Sequence, residues 1–226
     1  MNRRKDERQL YDFIYSQHRA GKVACRASCH ELDKARRKVA GVMHSFGIVS
    51  IKEARVLDVG CGLGYYAEAL REQGAHVIAA DISAVAVEMV RESFPLVDAR
   101  IASFPEDFDE AQRFDVIWAC DFSLLNTFDV DFIFREFIQP CLLRLTENGS
   151  LVIGWHSDFS GTMGDGNWAH WPWPVIKNMK ARAGLSGPRV VTVPMPLLGH
   201  GIIHVGRLLK KSIPIFLFRR QTIAAD

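Results

Sequence analysis

The chain has 226 residues, 48% of them hydrophobic and 24% charged, with a net charge of +2. This suits one α/β domain with additions and a full core, and it excludes a disordered chain. The near-neutral balance also excludes a general electrostatic drive toward nucleic acid or an acidic membrane.

No uninterrupted apolar run approaches the length of a membrane span, and the charged start Met1-Asn2-Arg3-Arg4-Lys5-Asp6-Glu7-Arg8 lacks the apolar core of a signal peptide. A soluble cytoplasmic protein is expected. The cysteines, Cys25, Cys29, Cys61, Cys120 and Cys141, are odd in number and scattered, which is not a disulfide framework. Cys25, Cys29 and His30 form the one cluster. It lacks the second pair of a zinc site, and Leu32 stands where an iron–sulfur pattern needs its third cysteine, so no metal site is expected.

In chain order, Leu10, Phe13, Ile14 and Gln17 have helical spacing over 5–20, and Leu32, Ala35, Val39, Val42, Met43 and Phe46 over 30–46. The basic run Lys34–Lys38 reads as a solvated helix face. These helices are expected to form an N-terminal cap, residues 1–50, ahead of a domain over 51–226. Strands and helices then alternate. A strand at 55–59 leads through Gly60-Cys61-Gly62-Leu63-Gly64 into a helix ending at Gly74, and a strand at 75–80 closes at Asp81. Ser83 caps a helix that Pro95 stops after Phe94. Strands follow at 97–102 and 114–119, then a helix over 130–145 with a break at Pro140. Glu147-Asn148-Gly149 turns into a strand at 150–154. After it come an aromatic stretch, a helix over 175–183 ending at Gly184, and strand-like runs at 189–193 and 213–218. Alternation of this kind predicts a doubly wound, mostly parallel sheet with helices on both faces and ligands outside the carboxyl ends of its strands.

The glycine spacing separates two cofactor classes. A dinucleotide turn places a small residue five after its first glycine, whereas Tyr65 stands there and the third glycine falls early, at Gly64. The acid Asp58 beside the turn suits a cationic ligand better than a pyrophosphate. Asp58-Val59-Gly60-Cys61-Gly62-Leu63-Gly64 resembles motif I of the class I S-adenosylmethionine-dependent methyltransferases. The resemblance covers roughly residues 54–155. It implies a Rossmann-like seven-stranded sheet with an antiparallel last strand, S-adenosylmethionine as cofactor, and a methyl acceptor.

Carried onto this chain, the resemblance implies a cofactor site built from Asp58, Gly60, Cys61, Gly62 and Gly64. Asp81 is set for the ribose hydroxyls and Ile82 as an apolar wall for adenine. Ser103 stands where many members of the family carry an acid, with Phe104 beside it and Glu106 or Asp107 as substitutes. Cys120 occupies the place bordering the methyl group. Candidates for positioning an acceptor or taking its proton are Asp121, His156 and Asp158 at strand ends, with His170, His200 and His204 weaker. The aromatic stretch, with four of the five tryptophans, reads as either a substrate pocket or a satellite core, with the pocket favoured by its place after a strand end. Substrate-side insertions are expected at about 155–174 and 194–212.

A small-molecule acceptor is the leading expectation, with oxygen, nitrogen and carbon all open as the acceptor atom. The rivals are a protein or RNA acceptor, which the weak charge disfavours, a nicotinamide oxidoreductase, which Tyr65 disfavours, and a cofactor-binding protein without transferase activity. The motif after the fourth strand, Cys120-Asp121-Phe122-Ser123, departs from that of base-amino methylators.

Overall fold

A computed structural model describes residues 3–22, 30–157, 168–190 and 213–220. Its centre is a seven-stranded sheet of order β3-β2-β1-β4-β5-β7-β6. The strands are β1 (Arg55–Val59), β2 (His76–Asp81), β3 (Asp98–Ile101), β4 (Phe114–Cys120), β5 (Leu145–Ser157), β6 (Ser186–Arg189) and β7 (Ile213–Arg220). The first five run parallel, while β7 lies antiparallel to both β5 and β6. β1 leads outward to β2 and β3 on one side, whereas β4 and β5 follow on the other. The junction of β1 and β4 is thus the point where the winding reverses.

Strand side chains alternate between two buried layers, as parallel strands covered on both sides must. Val56, Val77, Ala79, Trp118 and Val152 face helices α2 (Leu32–Phe46), α3 (Tyr65–Glu72) and α4 (Ala84–Ser93). Leu57, Val59, Ile117, Leu151 and Ile153 face the opposite layer. That layer is built from α5 (Val130–Ile133), α6 (Gln139–Leu143) and α7 (Trp173–Ala183). Helix α2 packs on α3 through Ala35, Val39 and Val42, and Arg36 of the predicted solvated basic run pairs with Glu72 at 2.6 Å. Helix α1 (Arg3–Arg19) lies against α4.

Four elements differ from the sequence expectation. The helix predicted over 130–145 is interrupted by a π turn at Phe134–Ile138, just ahead of Pro140 in the first turn of α6. Proline has no N–H to give the preceding turn, and the wider turn lets the chain pass without it. Strand β5 begins at Leu145 rather than 150. Its pairing slips between Phe114↔Leu145 and Val116↔Ser150, so the expected turn at Glu147-Asn148-Gly149 survives as an irregularity inside the strand. Of the run expected at 189–193, Arg189 ends strand β6, which starts at Ser186, and 191–193 lie outside the described residues; β6 pairs at the sheet edge, where Pro188 is tolerated. Helix α7 starts at Trp173, two residues early, and ends as expected at Gly184, whose φ is +61°.

Candidate active site

The bend after β1 is stitched to the end of β2. The Gly60 and Cys61 amides donate to the Ala80 carbonyl at 2.8 and 3.0 Å, and the Gly62 amide donates to Asp81 Oδ2 at 3.0 Å. Two glycines are required by both conformation and space. Gly60 has φ +68°, and a Cβ there would stand 2.6 Å from Phe122 Cδ2. Gly64, the N-cap of α3, has φ +77°, and a Cβ would meet Val90 of α4 at 2.8 Å. The early third glycine therefore lets α3 and α4 approach each other, while the first keeps the backbone bare where the cleft begins.

Two buried carboxylates flank this bend. Asp81 also accepts from the Ser83 amide at 2.9 Å, and Ser83 accepts from the Ala86 amide to cap α4. Burial pushes Asp81 up to about 6, against the pull of the Ser83 and Gly62 amides. Asp58 is 2% exposed, and burial, with the nearby charge of Asp81, pushes it up to about 8, although the Ala67 amide favours its ionised form. Its Oδ2 has no hydrogen-bond partner among the described residues. A buried carboxylate oxygen left in this state is set to receive positive charge.

A cleft, open at its mouth, lies outside the carboxyl ends of β1, β2, β3 and β4. Gly60, Asp81, Ile82, Phe104 and Asp121 line it, joined by Tyr11 of α1 and by Phe122 and Ser123. Asp121 has φ +52°, a region where aspartate is among the few tolerated side chains, and its amide donates to the Gly154 carbonyl at 3.0 Å. This turn brings Asp121 Oδ2 to 3.5 Å from His156 Nε2 on β5. Residues from two neighbouring strand ends thus form an acid–imidazole pair at the edge of the cleft.

Other predicted residues sit behind the cleft wall. Asp58, Cys61, Gly62, Gly64 and Cys120 do not line it. The buried thiols of Cys61 and Cys120 are pushed well up by desolvation, which disfavours a nucleophilic role. The hydroxyl of Ser103 donates to Glu106 at 3.0 Å and its amide to Asp107 at 2.8 Å, so both candidate acids are drawn into the local turn. Phe104 lines the cleft and also packs in the core against Phe108 and Phe137. Asp158, His200, His204, Cys25, Cys29 and the insertion at 194–212 lie outside the described residues.

In the described part of the aromatic stretch, Trp155 and Trp171 are core rather than pocket, a correction to the favoured expectation, while Trp173 is 42% exposed. Trp155 and Trp171 are 2% and 0% exposed. Their indole N–H groups donate to the carbonyls of Ala169 and of Leu125 and Thr127. Each ring keeps its polar tip satisfied, so burial is the stable outcome. The lining residue Tyr11 carries no local motif; it shares a helix face with Tyr15, which is its sole hint in the sequence.

The reversed winding, the bare bend and two strand-end acids define a doubly wound α/β protein with a nucleoside-type cleft. Residues 56–141 match the methyltransferase domain family. The ubiquinone biosynthesis O-methyltransferase of Xylella fastidiosa (strain M23) is 46% identical over 111 residues, covering 46% of this chain and 43% of that protein. The chain thus spans under half the length of this curated relative. Among solved structures, an S-adenosylmethionine-dependent methyltransferase from Clostridium acetobutylicum superposes with TM-score 0.61 at 12% identity, covering 95% of this chain and 98% of that one. The 1,6-didemethyltoxoflavin-N1-methyltransferase of Burkholderia thailandensis, solved with S-adenosylhomocysteine, gives 0.58 at 19% identity, covering 94% and 87%. Over residues 56–141 the chain is thus similar to methyltransferase domains, and its fold is that of solved S-adenosylmethionine-dependent methyltransferases.

Proposed function

We propose that this protein transfers a methyl group from S-adenosylmethionine to a small-molecule acceptor. The observation that carries the reading is the partnerless buried oxygen of Asp58 beside Asp81 at the bare glycine bend. A ligand bearing a ribose and positive charge fits this donor set, whereas a pyrophosphate would meet two acids. The cofactor supplies a methyl group already activated on a sulfonium. The chain's own work is then to hold and orient. Asp81 retains lone pairs for the ribose hydroxyls, Ile82 and Phe104 offer apolar walls, and Asp58 supplies negative charge behind the bend.

At the β4–β5 edge, His156 is placed to take a proton from the acceptor, with Asp121 steadying the imidazole and its developing charge. The O-methyltransferase relative supports an oxygen acceptor. The buried free thiols of Cys61, Cys120 and Cys141 support a reducing, cytoplasmic setting, and no helix among the described residues is long and apolar enough to cross a membrane. We read residues 1–50 as a cap on the 51–226 unit.

Thermal shift with S-adenosylmethionine, S-adenosylhomocysteine and NAD tests the cofactor. The two adenosyl ligands are expected to raise Tm and NAD to leave it unchanged, with Asp81→Ala abolishing the rise. A rise with NAD alone overturns the reading. Labelled methyl transfer to a panel of acceptors then tests catalysis. His156→Ala should lower kcat by roughly 10²–10⁴ while S-adenosylhomocysteine affinity stays unchanged.

A further inference from the structure

We propose that Asp12 latches helix α1 onto the cofactor-binding turn, so that Asp12 is a positioning residue for Asp81 and docking of α1 is coupled to cofactor binding. This rests on the function proposed above. Asp12 sits on α1, far in sequence from the bend, yet its Oδ1 accepts from Ser83 Oγ at 2.6 Å and from the Val85 amide at 3.4 Å. Ser83 in turn gives its amide to Asp81 at 2.9 Å. One acid on α1 therefore grips the two-residue turn that presents the other acid to the cleft.

The rest of the α1 contact is made by aromatic packing and surface ion pairs. Tyr15 packs in a small cluster with Leu63 and Ala86, and Arg19 pairs with Glu88 and Glu92 at the exposed surface of α4. Exposed pairs of this sort hold little. On the outer side of the helix, Leu10 and Phe13 are 55% and 62% exposed. Yet Tyr11 lines the cleft, and the Tyr15 hydroxyl lies 2.9 Å from where a Cβ of Gly62 would be. A helix that lines the cofactor cleft through Tyr11 and grips its ribose-side turn is stabilised by whatever stabilises that turn. Binding and docking then favour each other reciprocally.

Asp12 also acts on Asp81 by charge, pushing its carboxyl upward. The other groups that bear on Asp81 are Asp58 on β1, the Cys61 thiol on the bend, and the Gly62, Ile82 and Ser83 amides. Removing the charge of Asp12 alone lowers the pH at which Asp81 gains its proton. A merely structural role for Asp12 would not move that profile.

The test measures S-adenosylhomocysteine affinity by calorimetry from pH 5 to 8, and amide exchange over residues 3–19, in the full chain. In the wild type the ligand should slow exchange along α1. Asp12→Ala should weaken affinity about three- to tenfold, the range of one or two lost hydrogen bonds, and remove the ligand-induced protection. Asp12→Asn keeps an acceptor oxygen and should restore most of both, while the pH at which affinity falls moves lower. Unchanged affinity and protection in Asp12→Ala overturns the latch, as does an Asp12→Asn profile that does not move. Wild-type protein that binds no S-adenosylhomocysteine overturns the function itself, an outcome distinct from both.

Discussion

Asp58 illustrates how a single residue can cost stability in exchange for a site. Its carboxyl is pushed up to about 8 by burial and by Asp81. The folded protein therefore keeps a proton that the unfolded chain loses above the ordinary carboxylate range. The stability linked to that proton is present at low pH and declines as pH rises toward 8. Asp58→Asn removes the charge at nearly constant shape. It should raise the Tm of the ligand-free protein at pH 8 by roughly 2–4 °C or more, the shift of about 1 kcal/mol in a chain of this size, and weaken S-adenosylmethionine binding. A melt at pH 8 with no gain would show that Asp58 is already well compensated. Gly60→Ala acts in the opposite sense. It meets both a positive φ and Phe122 at 2.6 Å, so denaturant unfolding should show a loss of about 1–3 kcal/mol. Asp58, Asp81 and the glycines were legible in the sequence because strand ends and a bend place them locally. Asp12 and Tyr11 were not, since the partners of Asp12 lie 71 and 73 residues away and no periodicity encodes such a contact.

At the scale of elements, the alternation from β1 to β4 was legible because strands buried on both faces read as continuous apolar runs bounded by turn residues. The start of β5 was not: Thr146, Glu147, Asn148 and Gly149 have turn chemistry, and pairing with β4 overrides it. The aromatic stretch was ambiguous for a different reason. A tryptophan near a strand end can line a pocket or fill a core, and here Trp155 and Trp171 find carbonyl acceptors that only the folded chain brings near, Ala169 after β5 and Leu125 and Thr127 after β4. Trp171 bridges the segment that follows β4 and the one that follows β5, while Ser157 Oγ donates to its carbonyl. Trp171→Phe keeps most of the ring but removes its hydrogen bonds to the Leu125 and Thr127 carbonyls. Unfolding should show a loss of about 1–3 kcal/mol, and cofactor affinity should change little because the ring lies outside the cleft lining. A large loss of cofactor affinity at unchanged stability would instead make Trp171 part of the site.

Across the whole molecule, the cleft gathers negative charge from separate strand ends within a protein of net charge +2. Asp58 sits in β1 behind the cleft, Asp81 ends β2 and Asp121 follows β4, all toward one end of the sheet, so the doubly wound topology concentrates charge that the composition conceals. Two of these acids, Asp58 and Asp81, are raised by burial, to about 8 and about 6. Both therefore lower the stability of the ligand-free fold as pH climbs from the ordinary carboxylate range toward 8. Positive charge bound near them favours their ionised forms and reverses that slope. Affinity for S-adenosylmethionine should accordingly rise between pH 5 and 8, with net proton release on binding. Melting curves across this range should show the ligand-free Tm falling relative to that of the saturated protein, so that the ligand-induced shift widens with pH. Calorimetry near pH 7 in buffers of different ionisation enthalpy should count the released protons, the larger share coming from Asp58. A shift that narrows as pH rises, or proton uptake in place of release, would mean that no cation settles beside these carboxylates.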